Sequence, residues 1–176
     1  MLLDLRRAVT VSIIFFIMLG LAYPLAETGI GQALFNHQAN GSLTPLGSTR
    51  IGQNWTGPQW FQGRPDGDDP NATGGSNLGP RSKDLLDKYK ERIDGLEKQG
   101  LTPHQDLVSA SGSGVDPDIS PAAAYAQVPV VAKARGLSDD QLRALVERHV
   151  EGPQWGFLGA PHVNVLELNK ELATLR

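Results

Sequence analysis

A long apolar run dominates the hydrophobic pattern at the start of the chain. Between Ala8 and Ala26 no residue is charged. A helix rises about 1.5 Å per residue, so this run extends about 28 Å, close to the roughly 30 Å hydrocarbon core of a bilayer. The pattern therefore predicts one transmembrane helix over residues 8–26.

The charges around the apolar run predict its orientation. Arg6 and Arg7 precede it, whereas a single charge, Glu27, follows it for many residues. By the positive-inside rule, the arginines stay in the cytoplasm. We therefore expect residues 1–7 to be cytoplasmic and residues 27–176 to form one extracytoplasmic domain.

A cleaved signal peptide is the alternative interpretation of this segment. Its apolar region usually spans only about 7–15 residues and ends at a small-residue site of the A-x-A type. The run here is longer, and Pro24-Leu25-Ala26 matches that site poorly. These features favour an anchor that is retained.

Residues 27–80 lack a helical period and are rich in Gly, Asn, Gln, Ser and Pro. Short apolar pieces separated by turn residues predict short strands and turns in this half. Trp55, Trp60 and Phe61 are the expected hydrophobic anchors. Residues 63–79 form the most loop-like segment.

Helical periodicity begins after residue 80. Ser82 is a candidate N-cap, and Gly100 is the expected end of the helix. One stripe of apolar residues is predicted to face the core: Leu85, Leu86, Tyr89, Ile93 and Leu96.

Three further helices are predicted near the C-terminus. Ser120-Pro121 is typical of a helix start, and Gly136 of its end, with Pro129 expected to kink or interrupt the helix. Ser138 and Gln141 form a capping box for a second helix, which we expect to bury Leu142, Leu145 and Val146 and to end at Gly152-Pro153. Asn164 is a candidate cap for the last helix, with Leu168, Leu172 and Leu175 at helical spacing. A strand-rich first half and a helical second half predict an α+β class, with one small domain after the anchor.

Composition and charge exclude several classes of function. The chain has 176 residues, a net charge of −3 and no cysteine. Disulfides, thiolate zinc sites and cysteine nucleophiles are therefore absent. The mild acidity argues against a nucleic-acid partner, because such proteins carry a clustered basic face.

Two glycine-serine segments are the strongest candidates for a binding or interaction loop. The first comprises Gly74, Gly75, Ser76, Asn77, Leu78 and Gly79. The second comprises Ser111, Gly112, Ser113 and Gly114, and the candidate surface continues through Asp116, Pro117 and Ser120. Neither continues into the lysine of a P-loop, and such runs are also typical of plain turns. The helix start at Ser120 could hold an anion.

Metal and catalytic sites have weaker signals. Two aspartate sets could offer oxygen ligands to calcium, but neither fits an EF-hand loop: Asp106, Asp116 and Asp118, and Asp66, Asp68 and Asp69. Asp116-Pro117 instead predicts an Asx turn. The four histidines lack a zinc spacing, and no G-x-S-x-G motif occurs, so neither a metal site nor a catalytic residue is predicted. An accessory component of a membrane complex and a membrane-anchored periplasmic hydrolase or binding domain both stay open.

Ordered motifs along the whole chain carry a family resemblance. They are GQALF, QANGSL, GSTRIGQNW, WFQGRP, GGSNLGP, SGSGVDPDISPAAAYAQVPVVAKARGL and FLGAPHVNVLELN. The chain resembles the KdpC family, a component of the bacterial potassium-transporting Kdp ATPase. It departs from the family pattern at Asp118, where a histidine is common, and at Asp66, where a serine is frequent.

This resemblance implies a non-catalytic component of a P-type potassium importer in the bacterial inner membrane. The complex is a heterotetramer in which KdpA selects potassium, KdpB hydrolyses ATP and KdpF stabilises the assembly. For KdpC, the resemblance implies the role of a catalytic chaperone that raises the ATP affinity of KdpB. It implies no firmly bound cofactor, with ATP reached only through the complex, and it makes Gln127 a candidate beside the SGSG loop. An extracytoplasmic domain would act on ATP affinity only indirectly, across the membrane.

Overall fold

A computed structural model describes residues 1–66 and 73–175 of the chain. It contains two compact units, Met1–Leu43 and Thr44–Arg176. The first unit is helical, and the second holds every element that positions the candidate site.

The first unit is a helix that runs from Leu2 to Leu34 and is long and apolar enough, by length and composition, to cross a membrane. Its segments are α1 (Leu2–Ile17), a π-helical turn (Met18–Ala22) and α2 (Tyr23–Leu34), followed by the short α3 (Asn36–Ala39). The predicted span 8–26 lies inside this helix. The prediction of strands and turns from residue 27 onward is wrong for residues 27–39, because extending an existing helix costs far less than starting a new one.

The second unit begins at Thr44, the last residue of β1 (Leu43–Thr44), which forms a small hairpin with β2 (Gly47–Ser48). A long irregular segment follows the hairpin. Its other elements are α4 (Lys83–Lys98), α5 (Gln105–Val108), β3 (Asp118–Ile119), α6 (Pro121–Arg135), α7 (Asp139–Arg148), β4 (Val150–Glu151), β5 (His162–Asn164) and α8 (Val165–Leu172). This arrangement confirms the α+β class.

The C-terminal half contains a three-stranded antiparallel sheet in the order β3-β5-β4. Ile119 and Val150 both pair with Val163 of the central strand. These strands have only two or three residues, too few to show an alternating pattern in the sequence. The prediction that the second helix extends to Gly152-Pro153 is wrong, because Val150 already belongs to the sheet.

Local capping signals in the C-terminal half are confirmed. The Ser120 hydroxyl accepts a hydrogen bond from the Ala123 amide at 3.3 Å, and Gly136 ends the helix with φ +68°. Ser138 and Gln141 form the predicted capping box. The expected interruption at Pro129 does not occur: α6 runs through it, and the proline lies on the exposed face, where water can hydrate the carbonyl that loses its helical partner.

Helix α4 follows its predicted position but not all of its predicted burial. Leu96 is buried, whereas Leu86 is 57% exposed, so the inclusion of Leu86 in the inward stripe is wrong. Ser82 occupies the N-cap position without a side-chain capping bond. An apolar residue at helical spacing is therefore not always a core residue.

The core of the second unit lies between α6, α7 and α8 and the residue Phe61, which is fully buried. Trp55 and Trp60 pack against it with their ring centroids 5.1 Å apart, as predicted for aromatic anchors. Arg135 lies over the Trp60 ring at 4.3 Å, within the range of a cation–π interaction.

Candidate functional site

Two buried side-chain carboxamides hold the backbone of residues 61 and 62, a few positions before the candidate site. Asn169 accepts from the Phe61 amide at 3.0 Å and donates to its carbonyl at 2.8 Å. Gln127 pairs with the backbone of Gln62 in the same way, at 2.7 and 3.0 Å. Both side chains are fully buried, and each replaces the strand that would otherwise satisfy this backbone.

The two glycine-serine segments meet in the fold. The Gly74 amide donates to the Ser113 carbonyl at 2.6 Å. A Cβ at Gly114 would lie 2.5 Å from the Gly74 carbonyl oxygen, and Gly114 has φ +72°. A Cβ at Gly75 would lie 3.1 Å from the Gly112 carbonyl oxygen. This close approach of two backbones explains why glycine occurs on both sides.

The carboxylate of Asp66 accepts hydrogen bonds from the second glycine-serine segment and from the residues that follow it. Its Oδ1 accepts from the Ser111 amide at 2.6 Å. Its Oδ2 accepts from the Ser111 hydroxyl at 2.8 Å and from the Asp116 amide at 2.7 Å. Such hydrogen bonds to an ionised acceptor are stronger than neutral ones, so Asp66 fixes the loop from residue 111 to residue 116.

The residues after this loop connect it to the sheet. The Asp118 amide donates to Asp116 Oδ1 at 3.1 Å, which confirms the predicted Asx turn. The Pro117 carbonyl accepts from the Val165 amide at 3.1 Å. The Val115 carbonyl accepts from Gly52 at 2.8 Å, and a Cβ at Gly52 would lie 2.6 Å from the Asp116 carbonyl oxygen.

A charged cluster lies beside the loop. Arg64 approaches Asp106 at 3.4 Å and Asp116 at 3.8 Å. Asp106 also accepts from the Ser120 amide at 2.8 Å. Burial disfavours the ionised form of Asp106, but the hydrogen bonds from Ser120 and the charges of Arg64 and His104 outweigh it and lower the pKa of this carboxyl.

At Asp118, the effects that raise the pKa outweigh those that lower it. Burial raises the pKa of Asp118 above its usual value, and the nearby Asp116 and Glu151 add to the effect. His162, at 4.0 Å, and a hydrogen bond from Asn164 Nδ2, at 3.0 Å, only partly compensate. Asp118 is therefore a carboxylate whose surroundings disfavour its ionised form.

Two cavities border these groups. One, of about 250 Å³, lies between Trp55, Arg64, Asp66 and the loop at Gly114. The other, of about 580 Å³, is lined by Arg64, His162 and the three aspartates Asp106, Asp116 and Asp118. Among residues 1–66 and 73–175, no group of three or more His, Asp or Glu side chains could hold a metal ion. Asp68 and Asp69 lie outside the described residues.

The structure thus brings some of the predicted site residues together. Gly74 and Gly75 contact the loop 111–114, and Asp116 and Pro117 continue that loop. Ser76, Asn77 and Gly79 are exposed, and Leu78 is half-buried. Gln127 is separate from them, because its amide serves the backbone of Gln62. Both predicted anion positions, the glycine-serine loop and the helix start at Ser120, already hold carboxylates of this chain, Asp66 and Asp106.

An exposed aromatic tip, which the sequence did not predict, lies between β4 and β5. Trp155 is 84% exposed and Phe157 is 74% exposed. Trp155 and Gly156 both have positive φ, as in a type I′ turn, and the Gln154–Leu158 pair closes the loop through two backbone hydrogen bonds of 2.9 and 3.0 Å. The sequence QWGFL between Gly-Pro and Gly-Ala-Pro was the available signal. We refer to residues 154–158 as the aromatic tip.

The comparisons with known proteins all identify the same family. The profile of the KdpC family, described as the c chain of the K⁺-transporting ATPase, matches residues 5–174. The "Potassium-transporting ATPase KdpC subunit" of Variovorax paradoxus is 47% identical over 182 residues, covering 96% of this chain and 94% of the relative. The protein of the same name from Sorangium cellulosum is 47% identical over 98% of both chains. That of Rhodopseudomonas palustris is 47% identical over the full length of both. The chain belongs to the KdpC family and is the c chain of a K⁺-transporting ATPase.

Proposed function

We propose that this chain is a non-catalytic, single-pass component that assembles with KdpA, KdpB and KdpF of the potassium importer. Its N-terminal helix anchors it in the bacterial inner membrane, and its second unit lies on the extracytoplasmic side. Arg6 and Arg7 before the apolar run support this orientation.

The observation that carries the proposal is the aromatic tip. Singly exposed apolar residues are ordinary, but a tryptophan, a phenylalanine and a leucine within four positions form a cluster. A bulky residue at positive φ is strained, and such strain persists where the position serves a function. Tryptophan and phenylalanine are also enriched in protein interfaces. The tip is therefore the surface through which the domain contacts another component of the complex.

The polar groups of the glycine-serine loop support an assembly role over catalysis. The amides of Ser111, Gly114 and Asp116 donate to side chains of the same chain. Gln127 is likewise engaged by internal partners. Groups that are already paired inside the fold are not free to stabilise a reacting substrate.

An effect on ATP use by KdpB follows indirectly from this arrangement. A domain outside the membrane cannot touch a nucleotide bound in the cytoplasm. It changes the ATP affinity of KdpB only by binding one conformation of the complex better than another. Such couplings typically amount to about 1–3 kcal/mol, or roughly 5- to 150-fold in affinity.

The test is the double substitution Trp155→Ala and Phe157→Ala in the full chain, expressed with KdpA, KdpB and KdpF. Truncating two exposed side chains should leave the unfolding temperature close to that of the wild type. We expect co-purification of the chain with its three partners to fall, together with the ATP affinity of the complex. Leu86→Ala is the matched control, because Leu86 is also an exposed apolar residue. Normal assembly and ATP affinity of the double variant would contradict the proposal.

A further inference from the structure

The loop from residue 111 to residue 116 is organised around an anion. Three donors converge on the carboxylate of Asp66: the Ser111 amide, the Ser111 hydroxyl and the Asp116 amide, at 2.6–2.8 Å. We propose that this loop is an oxyanion receptor whose resident ligand is the Asp66 carboxylate, and that a small free carboxylate binds there when Asp66 is truncated.

The hydroxyl hydrogens of the loop have a defined order. Ser111 donates its single hydroxyl hydrogen to Asp66 and accepts from the Gly114 amide at 2.9 Å. Its 3.2 Å contact with the Ser113 hydroxyl therefore requires Ser113 to be the donor. Ser113 in turn accepts from the Val115 amide at 3.2 Å. The hydroxyls and amides thus form one chain that ends on the carboxylate.

The receptor is held in shape by contacts other than Asp66. The Ser113 carbonyl accepts from Gly74, and the Val115 carbonyl accepts from Gly52. The Asx turn at Asp116 fixes the far end of the loop. Because these contacts use different atoms from those that bind the carboxylate, the donors should stay near their positions when Asp66 is truncated.

The electrostatic setting explains why the ligand is tethered. Arg64 lines the same cavity as Asp66, but it also approaches the carboxylates of Asp106 and Asp116. Local negative charge therefore opposes a second, free anion. A free ion loses translational and rotational entropy when it binds, whereas a covalently attached carboxylate does not. The intramolecular ligand therefore outcompetes ions in solution.

The receptor couples three segments of the chain. Asp66 lies four residues after Gln62, and Asn169 and Gln127 hold the backbone of residues 61 and 62. The loop it binds also contacts Gly74. Occupation of the receptor by Asp66 therefore joins the segment at Phe61 to both glycine-serine segments.

The test compares full chains in detergent by tryptophan-fluorescence melting. Asp66→Ala removes a group equal in shape to formate. We expect its unfolding temperature to fall by about 5–10 °C, since it loses three charge-assisted hydrogen bonds. Formate should restore part of the loss when compared with chloride at equal ionic strength. The wild type and Asp87→Ala, which removes an exposed aspartate from α4, should show no difference between the two salts.

A second variant separates anion binding from general destabilisation. Asp66→Asn keeps the shape of the side chain, so it leaves no room for formate, but it replaces one acceptor oxygen by an NH₂ group. We expect intermediate stability and no response to formate. A stable Asp66→Ala, an Asp66→Ala that formate does not rescue, or an equal formate response in all variants would overturn the proposal. If Asp66→Ala does not fold, wild-type stability of Asp66→Asn would also overturn it.

Discussion

At the scale of single residues, two side-chain carboxamides form the backbone hydrogen bonds that a neighbouring strand would otherwise supply. Asn169 and Gln127 satisfy the backbone of Phe61 and Gln62 inside the core. A buried backbone group without a partner costs about 1–3 kcal/mol. The core of this unit therefore depends on polar side chains as well as on apolar packing.

We predict that Asn169→Ala destabilises the second unit by about 2–4 kcal/mol, because it leaves the Phe61 amide and carbonyl unpaired and opens a small cavity. Urea unfolding of the full chain in detergent, followed by tryptophan fluorescence, measures this loss. The exposed Asn54 supplies the control, Asn54→Ala, which should change stability by less than about 0.5 kcal/mol. Equal stabilities of the two variants would show that the hydrogen bonds from Asn169 to the Phe61 backbone do not stabilise the fold.

Two neighbouring aspartates should respond to pH with opposite signs. The folded pKa of Asp106 is lowered, so its ionised form stabilises the fold above the ordinary carboxyl pKa, and this contribution disappears as pH falls through the folded value. We predict that Asp106→Asn is less stable than the wild type at neutral pH and that the difference shrinks in acid.

The folded pKa of Asp118 is raised, so its ionised form opposes folding at neutral pH, and protonation relieves this effect as pH falls through the folded value. Asp118→Asn should therefore be at least as stable as the wild type at neutral pH, with the difference vanishing in acid. The melting temperatures of the wild type and both variants, measured from neutral to acidic pH, show how each stability difference changes with pH. The same sign for both would contradict this electrostatic account.

At the scale of elements, the central feature is the contact between the two glycine-serine segments. Gly114 has a positive φ and no room for a side chain beside the Gly74 carbonyl. Gly112, two residues away, has no described atom within 4 Å of the position that a Cβ would take.

This difference predicts that Gly114→Ala loses about 1–3 kcal/mol or more and loosens residues 73–75, whereas Gly112→Ala is close to neutral. Limited proteolysis and melting of the full chain measure both effects. If the two alanine variants behave alike, the segments are not packed as described.

Elements specified by neighbouring residues could be predicted from the sequence. The Ser120 and Ser138 caps and the Asx turn at Asp116 depend on contacts within a few positions. The pairing of β4 with β5 and the bond between Asp66 and Ser111 join residues far apart in the chain, which periodicity does not reveal. The predicted interruption at Pro129 is wrong because a proline on an exposed helix face is tolerated, whereas a kink there stays a prediction.

The candidate site was predictable only in part for the same reason. The unusual composition of the glycine-serine segments marks them, but their mutual contact and their internal anion depend on the tertiary fold. The aromatic tip escapes prediction because a short apolar piece beside a turn usually belongs to a buried strand.

At the scale of the whole molecule, an apolar N-terminal helix precedes a small α+β unit in a chain of the KdpC family. The proposed function requires this unit to lie outside the membrane. There, the aromatic tip can bind another component of the importer, while any influence on ATP must pass through the complex.

The most direct measurement of this claim uses the absence of cysteine in the chain. Single cysteines would replace Lys90, on the exposed face of α4, and Leu2, before the apolar run. Intact cells and lysed cells would then be treated with a membrane-impermeant maleimide. The account predicts that the cysteine at position 90 is labelled in both and the one at position 2 only after lysis. The reverse pattern would place the α+β unit in the cytoplasm and contradict the account.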